Sequence, residues 1–385
     1  MNGDATARPM IWLLLPLVFV VGIVSALLLT QPLDRLTSAA PPVEDLKVES
    51  MRLTPDLMSF DVRADGSGPL QIAQVQVDAA YRQFTITPPG PISRLGQARV
   101  DIPYPWVAGE AHKVVFLTRT GAAFTHEIPV AQETPGLAGE NAALLIAVGL
   151  LLGVAPVTAG LFAYPAMRSL GTGSMQFILA LTIGLLLYLL IDTLSEGLEI
   201  ATKAIDRLHA KTLVWVAAAA SAALLLAIGR SGGKRPEGVA LATFIALGIG
   251  LHNLGEGLAV GASIASGAAA LATFLVIGFT IHNVSEGFGI AAPLVGTRPR
   301  LLTFAALAAL AGLPAVAGVL LGAQSVSPYW TALCFGVGAG AIAQVIIEIT
   351  ALMLARGGTQ GVITTSTLAG IIAGLGVMYL TALFV

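Results

Sequence analysis

Charge is what this chain lacks most. Asp, Glu, Lys and Arg make up 11% of its 385 residues, and the mean hydropathy is +0.84. A composition so poor in charge excludes the soluble globular class. The net charge of −2 leaves no basic surplus for nucleic acid. A single cysteine, Cys334, excludes a disulfide within the chain and argues against a cysteine-based metal site. No His-Glu-x-x-His word occurs, and an intramembrane metalloprotease would need its glutamate beside the first histidine ligand. The chain is therefore expected not to be an enzyme and to hold no resident cofactor.

What is abundant is apolar sequence in runs near 20 residues, the length that crosses a bilayer. One run covers 10–29. Eight more cover 143–166, 173–197, 212–229, 238–264, 269–294, 301–322, 329–355 and 363–384. The expected class is an all-α polytopic membrane protein with an eight-helix core at 143–385. Residues 1–30 read as an anchor helix or signal segment. The run is long for a signal and Pro41 would follow the cut at Ala39-Ala40, which favours an uncleaved anchor. Residues 31–44 read as a linker.

Residues 45–132 break the pattern. LKVESMRLT, MSFDVRAD, LQIAQVQVD, YRQFTITP, QARVDIPYP, HKVVFLTR and FTHEIPVA alternate like strands, with turns at Asp65-Gly66, Pro88-Pro89-Gly90, Gly109 and Gly121 between them. Seven such segments predict a small all-β sandwich, immunoglobulin-like but without the disulfide. Its His112 and His126 are solitary and read as structural.

Arg168, then Arg230, Lys234 and Arg235, then Arg298 and Arg300, then Arg356 fall on alternate connections, and Arg8 falls on the same side. The positive-inside rule makes that side cytoplasmic. Residues 31–142 and the C-terminus are then extracytoplasmic, in a multi-pass protein of the inner membrane. The other side carries Lys203, Arg207 and Lys211, partly balanced by Glu199 and Asp206.

Two of the runs carry nearly the same words, GIGLHNLGEGLAVGA and GFTIHNVSEGFGIAA. His252, Asn253, Glu256 and Gly257 recur at a constant offset as His282, Asn283, Glu286 and Gly287. On a helix of 3.6 residues per turn, His and Glu at i and i+4 share a face, and Asn at i+1 reaches the same side. Each helix can thus aim an imidazole nitrogen, an amide oxygen and a carboxylate at one point. Two such helices make a site suited to first-row divalent ions such as zinc or iron. Mere glue between helices would need neither the carboxylates nor the repetition.

The second and seventh runs echo one another more weakly: Gly184 precedes Asp192, and Gly340 precedes Glu348, at equal spacing. With the doubled central word, this suggests inverted repeats in a 3+2+3 order around a midplane site. Asp192 and Glu196, at i and i+4, are candidates for an entrance. Gln344 and Glu348, likewise paired, are candidates for the inner pathway, since a lone membrane carboxylate is a functional candidate by default. Glu199 and His209 read as solvated.

These residues resemble the ZIP (Zrt-, Irt-like) metal permeases, over about 143–385 and not over the β-region. The specific element is HN-x-x-EG on two successive helices, with AGAIAQVIIEI similar to the family's seventh helix. The resemblance implies import of a divalent metal into the cytoplasm through a two-metal centre, with His252, Asn253, Glu256, His282, Asn283 and Glu286 as ligands. The chain departs from that pattern in three places. Gly255 and Ser285 stand where each motif usually has a proline. The loop around Arg230–Glu237 has no histidine. The sixth run, LLTFAALAALAGLPAVAGVLLGA, has no acid to bridge two metals. One tight ion held by His252, Glu256, His282 and Glu286 is therefore expected, with Ala315 the natural place to restore the acid. A sensor or receptor that does not transport, or an exporter, would use the same ligands. The partners implied are the metal ion and the bilayer. The sequence leaves a homodimer open and indicates no partner for the β-region.

Overall fold

The computed structural model describes residues 7–30, 43–136, 138–205, 208–230, 233, 235–324 and 327–383. Most of the expected linker 31–44, the Ala39-Ala40 step and the charges of Asp206, Arg207 and Lys234 lie outside the described residues. The first helix, α1 (Ala7–Thr30), contains the apolar run at 10–29 and carries Pro16 inside it.

Eight strands follow: β1 (Leu46–Thr54), β2 (Leu57–Ala64), β3 (Ile72–Val77), β4 (Ala80–Arg82), β5 (Thr85–Thr87), β6 (Gln97–Pro103), β7 (His112–Thr118) and β8 (Ala123–Ile128). They form two antiparallel four-stranded sheets, ordered β1-β2-β6-β5 and β4-β3-β7-β8. Alternate side chains of β2, β6 and β7 are buried, as period-two patterning requires. Phe60 of one sheet meets Phe116 of the other edge to face, with ring centroids 5.5 Å apart. One expected strand, YRQFTITP, is two strands. Tyr81 and Arg82 pair with β3, while Thr85 to Thr87 pair with β6 in the other sheet. The chain changes sheets within this segment, and no local periodicity records a change of partner.

Eight further helices are long and apolar enough to cross a membrane: α2 (Gly139–Met167), α3 (Thr172–Lys203), α4 (Ala210–Gly229), α5 (Gly238–Ala265), α6 (Ala270–Leu294), α7 (Leu301–Gly322), α8 (Pro328–Arg356) and α9 (Thr365–Ala382). They coincide with the eight apolar runs. In lipid every backbone group needs an internal partner, so a run this apolar has the helix as its low-energy state.

Glycine sets how the helices pair. A Cβ at Gly257 on α5 would strike the backbone at Ala315 of α7, and one at Gly287 on α6 would strike Val157 and Gly160 of α2. Gly184 on α3 lies equally close to Ile371 of α9, and Gly340 on α8 to Ala218 of α4. Small residues let backbones approach this closely. The resulting pairs are α2 with α6, α5 with α7, α3 with α9 and α4 with α8, while α3 packs on α8, α5 on both α6 and α8, and α2 on α7. Exchanging α2 for α7, α3 for α8, α4 for α9 and α5 for α6 maps these pairs onto one another, except that α5 packs on α8 more fully than α6 packs on α3.

The β-region lies against one end of the helices. Gly267, between α5 and α6, approaches Val130 and Gln132, and Gln324 Nε2, beyond α7, donates to Pro135 O at 3.3 Å. The segment leading into α2 is itself tied back to β1, with Leu53 N donating to Thr134 Oγ1 at 3.0 Å and Thr134 N to Leu53 O at 2.8 Å.

Candidate metal centre

The two repeated words lie on α5 and α6, and both helices run unbroken through them. Gly255 and Ser285 each lie within one of these continuous helices. Ser285 Oγ donates to His282 O at 2.6 Å, and Gly255 lines a small cavity.

His252, Glu256 and His282 come together at the centre. His282 Nε2 donates to Glu256 Oε1 at 2.6 Å, and His252 Nε2 lies 3.0 Å from the same oxygen. Ligand atoms of the three residues all lie within 4.8 Å of one another, the only group of this kind among the described residues. All three are buried, and Phe279 packs edge-on against His282 with centroids 5.6 Å apart. In such a setting charge interactions are poorly screened. Two imidazole nitrogens aimed at one carboxylate oxygen form a donor set that a divalent ion can take over, displacing the proton.

The asparagines have a second task. Asn283 Nδ2 donates to Leu152 O of α2 at 3.0 Å and lies 3.3 Å from Glu256 Oε2. Leu152 precedes Pro156 by four residues, so its carbonyl lacks the usual helical donor, and α2 has a π-helical turn at Leu150–Val154. Asn253 Nδ2 likewise donates to Ala311 O of α7 at 3.0 Å. With the amide nitrogens committed, Asn253 Oδ1 and Asn283 Oδ1 are left buried without a hydrogen-bond partner among the described residues. Both remain free to act as neutral ligands.

Glu286 stands apart. It is buried beside the Asn253 side chain, neither carboxylate oxygen has a well-formed hydrogen bond among the described residues, and it is not in the three-residue group. The structure thus gathers three of the four expected ligands. Ala315 does not face this centre. Its backbone packs on Gly257 and its Cβ lies beside Gly153, so a glutamate there would enter a tight helix contact.

A narrow cavity joins the centre to α3. It is lined by Asp192, Thr193 and Glu196 together with His252, Glu256 and Phe335. Both expected entrance residues therefore reach the site, on the side where α3 runs towards the β-region. Glu199 is exposed and pairs with Lys203 at 3.8 Å.

Beyond the centre, Gln344 and Glu348 of α8 are both buried. Glu348, expected as a lone carboxylate, is not alone: Arg230 Nη2 lies 3.2 Å from its Oε1. In the sequence, Arg230 is only one of the charges that set the topology. The one available signal was its place at the end of an apolar run, facing the half of α8 that carries the acid.

Both histidines of the β-region make contacts within it. His112 Nδ1 lies 2.8 Å from Asp78 Oδ2, which also accepts from Tyr104 Oη at 3.1 Å. Burial pushes the Asp78 carboxyl up, but bonds from the Lys113 amide, His112 and Tyr104 outweigh it and leave it below its ordinary value. His126 packs edge-on against Phe60, and burial holds its imidazole below the ordinary value.

No protein-family model matches the chain, and no curated protein matches it in sequence.

Proposed function

We propose that this protein is a divalent transition-metal permease of the ZIP type, moving zinc- or iron-type ions across the inner membrane into the cytoplasm. The observation that carries this reading is the convergence of His252 Nε2 and His282 Nε2 on one oxygen of Glu256 inside a membrane helix pair. Imidazole and carboxylate without thiolate suit first-row divalent ions at an affinity that still permits release. A site built only to hold an ion would need no polar residues leading to and from it. Here Asp192 and Glu196 reach it from one side, and Gln344 and Glu348 continue beyond it.

The approximate exchange symmetry of the helix pairs supports a 3+2+3 inverted repeat, with α2–α4 and α7–α9 flanking α5 and α6. Such repeats allow alternating access around a midplane site. In this reading the arginine-bearing connections are cytoplasmic and the β-region, an immunoglobulin-like sandwich, lies outside. Asp192 and Glu196 then receive the ion and Gln344 and Glu348 release it.

Uptake by the purified protein in proteoliposomes tests the proposal, with zinc, iron, manganese and cadmium offered in turn. Uptake of at least one ion, lost in His252→Ala/His282→Ala, is expected. Binding at the centre with no flux of any ion would make the protein a sensor. Flux only in the opposite direction would make it an exporter.

A further inference from the structure

Gln344 and Glu348 lie one turn apart on α8, so they share a face. Gln344 Oε1 is buried with no hydrogen-bond partner among the described residues. It faces Gly248 of α5, where a Cβ would come within 2.7 Å of it. Gly248 is one turn before His252, and Gly338 of α8 lies against His252 itself. The seam between α5 and α8 therefore leads from the central histidine to an amide oxygen and then to a carboxylate, two acceptors in succession.

What faces the carboxylate is a cation of the chain's own. Arg230, at the end of α4, reaches Glu348 through Nη2 alone at 3.2 Å, and its Nε is buried with no hydrogen-bond partner among the described residues. A guanidinium usually grips a carboxylate through two parallel bonds. Here it makes one, so the pair is held at a single point. Arg230 is half-exposed whereas Glu348 is buried, so the guanidinium can withdraw and the carboxylate cannot.

We propose that Gln344 and Glu348 form a second divalent-cation site, and that Arg230 is a tethered cation occupying it until a metal ion displaces it. A guanidinium and a dication cannot share one buried carboxylate, because their repulsion is poorly screened there. Site and latch are thus mutually exclusive. The role of this site as an exit rests on the transport reading above; its existence does not.

Zinc binding to the full-length protein in detergent tests this. Arg230→Gln should bind one zinc more than the unmodified protein, or bind the weaker zinc about 10- to 100-fold more tightly, the scale of one hydrogen bond to a charged group. Adding Glu348→Gln should abolish the gain. Adding His252→Ala and His282→Ala should preserve it, so the site is detected even if the centre binds nothing and the transport reading fails. Because an unpaired buried carboxylate could unfold the protein, Arg230→Lys provides a second arm. Its ammonium cannot reproduce the guanidinium contact, and the gain should appear at higher zinc. Zinc binding unchanged in every folded variant, or a gain that survives Glu348→Gln, overturns the proposal.

Discussion

The motif helices α5 and α6 carry the same word and put it to unequal use. On both, the asparagine donates to a carbonyl of a neighbouring helix, and the glycine after the glutamate lets that helix approach. Yet Glu256 takes both imidazoles, while Glu286 takes neither. The scaffolding half of the word is symmetric and the ligand half is not. A repeated motif therefore fixes which residues can reach the centre. It does not fix which of two equivalent carboxylates sits between the histidines, because one oxygen position can be central to both rings and a second cannot share it.

The sharpest way to break this comparison is to remove each carboxylate in turn. Glu256→Gln should weaken zinc binding by at least about 100-fold, the scale of losing about 3 kcal/mol of binding energy. Isothermal titration on protein whose helical circular dichroism is unchanged would read it. Equal losses in Glu256→Gln and Glu286→Gln would show that the asymmetry does not survive in the metal-bound protein.

The symmetric half is tested through the glycines. Gly257→Ala and Gly287→Ala each push a methyl into a neighbouring backbone that cannot swing aside. Each should cost about 1–3 kcal/mol, the usual range for overpacking. Thermal unfolding in detergent should show similar losses for the two. A large loss in one and none in the other would end the claim that the scaffold is symmetric.

Glu286→Gln alone should have the milder effect on binding, about 10-fold or less, in line with groups just outside a metal's direct ligands. It removes a buried carboxylate that has no well-formed hydrogen bond among the described residues, so thermal stability without metal should hold or rise. Loss of stability would mean that Asn253, beside it, holds the carboxylate in the folded protein.

The smallest effect expected lies outside the membrane. His126 is held below its ordinary value of 6.5 by burial. The unfolded chain binds that proton more readily, so stability is full above 6.5 and falls as pH drops from 6.5 towards the lower folded-state value. His126→Phe should flatten this acid limb in the unfolding of the β-region, and an unchanged limb would assign it to other groups.

The eight membrane-length helices were legible to within six residues at their ends, and six of the eight strands were legible one by one, the other two being read as a single strand. Legibility failed where a residue's partner lies far away in the chain. YRQFTITP reads as one strand because alternation continues across the point where it changes sheets. Ala315 looked like an open place for an acid because Gly153 and Gly257, the residues that close it, are on other helices. Asn253 and Asn283 could be placed on the site's face, but not the carbonyls that take their amide protons. Pro156 was visible, though not that Asn283 would serve the carbonyl it leaves bare.

Length and hydropathy are sums over neighbours in the chain, and helical phase is a count of residues. The sequence by itself therefore determined the membrane-length helices and the shared face of each His-Asn-x-x-Glu word. Which oxygen receives both imidazoles, and which cation answers Glu348, were decided only by the tertiary structure. Glu256 and His282 sit on different helices, and Arg230 and Glu348 are 118 residues apart. At such separations the partner is chosen by how the helices pack, and here backbone contact at glycines such as Gly257, Gly287 and Gly340 sets that packing.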